Sequence, residues 1–321
     1  MIIVPESLIA GLVSEDAVFT AVENVFAAMA RKDAWNFPVI REAIGYEDAL
    51  YGFKSGFDRA GLVLGLKSGG YWPGNAARGL TNHQSTVLLF DPDTGRAKAL
   101  VGGNLLTALR TAAASAVSIR YLARPDAKVL GMVGAGHQSA FQMRAAVRVG
   151  NFEKVVGWNY HPEMLSRLAD TAAELGLPFE AVDLPELGAQ SDVIITITSS
   201  FAPSVLDAHI RPGTHLACMG TDTKGKQEVE AALLGRARVF TDEVAQSVTI
   251  GEAQHAIAEG LITEGDIIPI GEVINGDAKG RQSADEITVF DGTGVGVQDL
   301  AVAAVAVDAA VAKGVAQKVD F

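Results

Sequence analysis

The stretch that most constrains this chain is residues 128–149, KVLGMVGAGHQSAFQMRAAVRV. An apolar run, 129–133, leads directly into Gly134-Ala135-Gly136-His137-Gln138-Ser139, and a helical pattern follows. Strand, glycine turn, helix is the context in which G-x-G-x-x-G/A marks a dinucleotide site, because a helix N-terminus offers free N–H groups and a positive dipole end to a pyrophosphate. Gly134 permits the tight turn and Gly136 lets backbone approach phosphate. Ser139, at the third position, is small enough for helix and strand to pack. The same pattern alone also fits an ordinary glycine-rich loop, so the flanking sequence decides.

That sequence alternates. Strands are expected at residues 155–159, 179–183, 192–198, 214–220, 238–242 and 286–290, with a helix at 162–175. DVIITIT, 192–198, is almost unbroken apolar, as in a strand covered on both faces. The rhythm predicts a doubly wound sheet. Upstream, 14–31 reads as an amphipathic helix capped by Ser14. Strands are expected at 49–54, 61–68, 84–91 and 97–101, the last two joined by Asp91-Pro92-Asp93-Thr94-Gly95. A helix is expected at 105–122. The Ala/Val-rich segment 298–313 reads as a helix too apolar to face water alone, so it should pack on the N-terminal domain or on a second subunit.

Composition narrows the class. With 321 residues, 49% of them hydrophobic, the chain holds two modest domains and a sizeable core. A net charge of −12 disfavours nucleic acid and anionic membranes as partners, and requires locally gathered cations for an anionic substrate. No apolar run reaches spanning length; 300–311 comes nearest but carries Asp308. The N-terminus lacks the basic region and cleavage site of a secretory signal. Cys218, the single cysteine, excludes an intrachain disulfide and fits a reducing, cytoplasmic setting; in its apolar strand it reads as core. The six histidines show no metal-ligand spacing, so no metal is expected. Glu252 and His255 are spaced for one helix face and read as a surface pair.

The second strand of a dinucleotide fold should end in an acid for the adenosine ribose. Asn159 stands there, in GWNYHPE. Asn hydrogen-bonds a hydroxyl without repelling a 2′-phosphate, yet no arginine follows to attract one, and His161 is a weak cation at neutral pH. NAD is therefore expected, with NADP left open. Ser199-Ser200 follows an apolar strand at its C-terminal end, where ligands bind in such sheets, so backbone contact with the nicotinamide ribose is expected there.

At this point the residues gather. GLK at 65–67, LTALRTAA at 106–113, GAGHQ at 134–138, MGTDTKGK at 219–226 and FDGTGV at 290–295, in that order, make the chain resemble the ornithine cyclodeaminase/mu-crystallin family over nearly its full length. The resemblance implies a Rossmann domain, residues 124–296, and an α+β substrate and dimerisation domain built from both chain ends, residues 1–123 and 297–321. It also implies a homodimer, a nicotinamide cofactor, and interconversion of amino acids with imines or keto acids. It places Arg41, Lys67 and Arg110 around the substrate carboxylate and Asp222 at the acid/base position, with Lys67 as a second catalytic group. Arg110, Thr111, Thr198, Ser199, Met219, Gly220 and Thr293 join the glycine turn around the cofactor. The chemistry suits these types. Arg grips a carboxylate with a fork, Lys with a point charge, and a carboxyl group beside an imine nitrogen can shuttle its proton.

One departure bears on the substrate. Many members have Gly-Leu-Pro-Thr-Val where this chain has Gly79-Leu80-Thr81-Asn82-His83, followed by Gln84. Alternation along a strand would send Asn82 and Gln84 one way and His83 the other. Such added donors suit a dicarboxylate better than a cyclic, apolar imine, and the match is nearest the branch that reduces iminosuccinate to aspartate. Alanine dehydrogenase, cyclodeaminase and a non-catalytic small-molecule binder stand as alternatives.

Overall fold

The computed structural model describes all 321 residues. The chain divides into two compact units, Met1–Arg110 with Val295–Phe321, and Thr111–Gly294. Both chain ends thus belong to one unit. The first division falls inside the helix Asn104–Leu122, whereas the sequence places a boundary at its end, after residue 123.

The unit Thr111–Gly294 is built on eight strands paired in parallel. Their order is Phe179–Ala181, Lys154–Trp158, Val129–Val133, Val193–Thr196, His215–Cys218, Thr288–Asp291, Arg238–Thr241, Ile267–Pro269. Read from one edge, the order runs backward along the chain to Val129–Val133 and then jumps forward to Val193–Thr196. The topological switch point is therefore beside the glycine turn, where doubly wound sheets bind ligands. Every residue of Val193–Thr196, His215–Cys218 and Thr288–Asp291 is buried, so both faces are covered and the continuous apolar runs are explained. The helix expected at 162–175 breaks into a 3-10 turn, Pro162–Met164, and an α-helix, Ser166–Glu174.

In the other unit the strand order is Gln317–Lys318, Ile2–Val4, Ala97–Gly102, His83–Phe90, Val63–Tyr71, Leu50–Asp58, Ala34–Asn36, with Ile40–Ala43 also paired to Leu50–Asp58. All pairs are antiparallel except Ile2–Val4 with Ala97–Gly102. The helix Gly296–Ala312 lies on one face of this sheet, and Glu15–Ala30, capped by Ser14, packs on it in turn. That answers the demand of its apolar surface from within the unit. The approach is close: a Cβ on Gly65 would sit 3.1 Å from Leu300 Cδ2 and 2.4 Å from the Leu88 carbonyl oxygen, so only glycine fits.

Register decides what faces that helix. Lys67 pairs with Lys54 and Val87, Tyr71 with His83, and Gly52 with Arg41. Period-two alternation then puts Arg41, Lys54, Lys67 and His83 on the face of Gly65, toward the helix. Ile40, Phe53, Tyr51 and Trp35 take the opposite face, and all four are exposed.

Candidate active site

The first cluster lies where the N-terminal turn of Gly296–Ala312 meets Val63–Tyr71. Asp299 sits in that first turn, where a carboxylate is favoured by the helix dipole. Lys67 Nζ lies 3.0 Å from Asp299 Oδ1 and 2.9 Å from Oδ2. Arg110 Nε donates to the same Oδ1 at 3.0 Å, and its terminal nitrogen donates to Gln298 Oε1 at 3.2 Å. Lys67 also donates to Thr107 Oγ1 at 3.4 Å. Lys67, Arg110 and Asp299 are all buried. Burial pulls the Lys67 pKa down from 10.5 to about 7; Asp299 resists this, while Arg110 and Lys54 add to it. For Asp299 burial opposes ionisation, but the charges of Arg110 and Lys67 outweigh it, and its pKa falls below the usual range. His83 is held neutral, its pKa lowered to about 4 by burial and then by Lys67 and Arg110. Arg41 acts on His83 in the same sense.

The structure gathers Arg41, Lys67, His83 and Arg110, and turns Asn82 and Gln84 to other work. Asn82 Oδ1 accepts from Ala76 N at 3.0 Å and its Nδ2 donates to Tyr71 at 3.1 Å. Gln84 donates to the Thr81 carbonyl and hydroxyl and accepts from Asn104. Both side chains tie down the segment before the strand.

The second group belongs to the Thr111–Gly294 unit. Gly134 has φ +110°, and a Cβ there would meet the Ile197 carbonyl oxygen at 2.6 Å. A Cβ on Gly136 would meet nothing within 4 Å. The amides of Gly136, His137 and Gln138 donate to no acceptor within the chain, and Gln138 Oε1 is buried without a partner. A turn with open space and unspent donors before a helix is chemically matched to a pyrophosphate. Ser139 Oγ donates to the Gly136 carbonyl at 2.8 Å. Asn159 binds the turn itself: Oδ1 accepts from Ala135 N at 2.9 Å, and Nδ2 donates to the His161 carbonyl at 2.8 Å.

Glu228 joins the two loops that carry Thr198, Ser199, Met219 and Gly220. One oxygen accepts from Thr198 N at 2.6 Å and Thr198 Oγ1 at 2.8 Å, the other from Thr196 Oγ1 at 2.7 Å and Gly220 N at 2.8 Å. Beneath it, Glu252 accepts from the amides of Glu228 and Val229, both at 2.8 Å, and from Thr221 Oγ1. The expected surface pair with His255 is thus corrected: Glu252 is buried, and a carboxylate taken out of water turns inward to the nearest free amides. His255 bonds the Lys226 carbonyl oxygen instead. Burial, then Glu228, push the Glu252 pKa to about 8; burial pushes Asp291 to about 7. Thr293 and Gly294 donate to Asp242, which fixes their loop. Thr111 and Met219 are buried and Cys218 is core. Asp222 lies on the loop after His215–Cys218 and accepts from Lys226. No group of residues suited to a metal ion occurs, and no helix is long and apolar enough to cross a membrane.

A sequence profile of the ornithine cyclodeaminase/mu-crystallin family matches residues 56–314. The chain belongs to that family. Other members match it over most or all of their length. The iminosuccinate reductase of Paracoccus denitrificans is 69% identical over 321 residues, spanning 100% of both chains. Its crystal structure, in complex with NAD+, superposes with a TM-score of 0.96 at 68% identity, covering 100% of this chain and 99% of that one. The structure of an archaeal alanine dehydrogenase dimer with bound NAD gives a TM-score of 0.94 at 31% identity, over 100% and 99%. A delta(1)-pyrroline-2-carboxylate reductase of P. denitrificans is 37% identical over 247 residues, 76% of this chain and 78% of its own.

Asp299 and Glu228 escape a reading of the sequence, and Lys226 stands in the MGTDTKGK stretch with no role assigned by it. Asp299 alone leaves a signal: a carboxylate in the first turn of a helix otherwise almost wholly apolar.

Proposed function

We propose that this chain is an NAD-dependent imine reductase that makes an amino acid from a small imino acid, and that the imine is iminosuccinate and the product aspartate. The observation that carries the reading is the buried pair Lys67 and Arg110 on Asp299, with Arg41 and the neutral His83 presented on the same sheet face. Two cations on one carboxylate leave net positive charge in a water-poor place, which suits a substrate anion. Its full-length likeness to an iminosuccinate reductase supports the same substrate.

The cofactor, bound in its reduced form, NADH, would supply the hydride to the imine carbon and leave as NAD+. The residues that would hold it are Gly134, Gly136, His137, Gln138, Ser139 and Asn159 at the turn and Thr198, Ser199, Met219, Gly220 and Thr293 on the later loops, with Arg110 and Thr111 on their helix. Lys67 and Arg110 grip the carboxylate next to the imine carbon. His83 and Arg41 take the second carboxylate, His83 as a neutral donor. Asp222 delivers a proton to the imine nitrogen, which raises the electrophilicity of the carbon, and the C=N bond becomes C–N.

The exposed Trp35, Ile40, Tyr51 and Phe53 on the sheet face away from the helix support a homodimer through the unit that holds both chain ends. A single buried cysteine supports a cytoplasmic location. Residues 124–296 serve as the dinucleotide domain, and 1–123 with 297–321 as the substrate and dimerisation domain.

The test is a panel of keto acids with ammonia, followed by NADH absorbance. Oxaloacetate should be consumed at least about a hundredfold better than pyruvate in kcat/KM, since a site with donors for a second carboxylate disfavours a ligand that leaves them unpaired. Equal rates would overturn the dicarboxylate and favour alanine dehydrogenase.

A further inference from the structure

Lys67 stands in a place that works against its charge. It is buried, Lys54 faces it across the strand pair, Arg110 shares its partner, and His83, on the same sheet face, is neutral. Each packed element other than one therefore presents a cation or a neutral group. The exception is the helix Gly296–Ala312, which presents Asp299, held at 3.0 Å by both cations through one oxygen. Gln298, one residue earlier, takes the other end of the Arg110 guanidinium. Both cations are thus oriented from a single helix turn, and that turn carries the sole counter-charge among these contacts.

We propose that Asp299 is the positioning residue of this site: its carboxylate sets the spacing of the Lys67 ammonium and the Arg110 guanidinium and keeps Lys67 protonated to receive a substrate carboxylate. The inference rests on the reading of Lys67 and Arg110 as an anion pocket. Without the negative charge, the remaining neighbours all push the proton off Lys67. The pair would then be one cation and one neutral amine, and the anion would be held by Arg110 alone.

The experiment is the titration of Lys67 by NMR in protein carrying lysine labelled with 13C at the ε carbon, assigned with Lys67→Arg. Asp299→Asn keeps the shape and removes the charge. Its Lys67 midpoint should fall by about one unit or more, a tenfold loss of proton affinity. Succinate, a dicarboxylate that cannot be reduced by NADH, should bind at least about fivefold more weakly at pH 7 and regain affinity as the pH falls. Asp299→Glu, which keeps the charge, should hold the midpoint near that of the parent, and Asp299→Ser carries the same expectation as Asp299→Asn if the latter does not fold. A midpoint that stays put or rises in the neutral variants overturns the proposal. A uniform loss of succinate affinity at every pH does so too, because it marks a merely structural residue. The titration needs no substrate, so its failure is distinguishable from failure of the reductase reading, which the keto acid panel tests.

Discussion

Lys226 lays its ammonium 2.8 Å from Asp222 Oδ1 and 3.3 Å from the Gly220 carbonyl oxygen, so one side chain ties the candidate proton donor to the loop that precedes it. Thr223 donates to the same oxygen at 3.1 Å. Asp222→Asn should lower kcat by about a hundredfold or more, within the range of lost acid–base catalysis, while NADH binding read by nicotinamide fluorescence persists. Lys226→Met should cost about tenfold in kcat, the scale of one charged hydrogen bond, through misorientation. Near-normal turnover in Asp222→Asn would move the proton transfer elsewhere.

Asn159 should govern the choice between NAD and NADP. An aspartate there keeps the acceptor for Ala135 N and adds a charge. Asn159→Asp should lower kcat/KM with NADPH by about tenfold relative to NADH, through repulsion of the 2′-phosphate. An unaltered ratio would show that the side chain serves only the turn.

His83 should set selectivity. His83→Ala should reduce the ratio of kcat/KM for oxaloacetate with ammonia over pyruvate with ammonia by about tenfold, the worth of one lost hydrogen bond to a charged group. If both rates fall together, the ring is structural.

The buried acids predict an unusual pH dependence of stability. Glu252 stands at about 8 and Asp291 at about 7, against 4.5 and 3.8 for ordinary side chains. Between those values the folded chain holds more protons than the unfolded one, so their contribution is full below the ordinary values and is lost as pH rises through 7 to 8. Lys67, at about 7 against 10.5, acts in the opposite sense above 7. Comparison of variants isolates the acids: Glu252→Gln should lose less in Tm than its parent between about pH 6 and pH 8.5. A parallel pair of curves would show that Glu252 is ionised throughout.

For assembly, light scattering should find a dimer at micromolar concentration, and Ile40→Asp with Phe53→Asp, a directly paired couple on the exposed face, should yield monomer. A dimer that persists places the interface elsewhere.

Local order was legible because it is periodic. The glycine turn, the β-α rhythm and the apolar final helix each advertise themselves within a few residues. Parity along His83–Phe90 separates His83 from Gln84 as alternation predicts, since Gln84 pairs with Gly70 on the other face. Family likeness supplied Lys67 and Arg110. Asp299 stayed hidden because it meets Lys67 across 232 positions and Arg110 across 189, beyond any window of pattern. Glu252 misled because its spacing to His255 is that of a helix face, while its burial is decided by the amides of Glu228 and Val229.

The unit with Lys67 and Arg110 is completed by a helix that follows the whole of Thr111–Gly294 in the chain. During synthesis the two cations therefore leave the ribosome long before their carboxylate does, and the intervening unit has time to fold first. A chain that stalls in that interval lacks the helix that covers one face of the sheet and the carboxylate that meets the two cations. Such a fragment is a target for chaperones and proteases rather than a partly active enzyme. The carboxylate that meets both cations arrives in the last stretch made, together with the helix that covers the sheet.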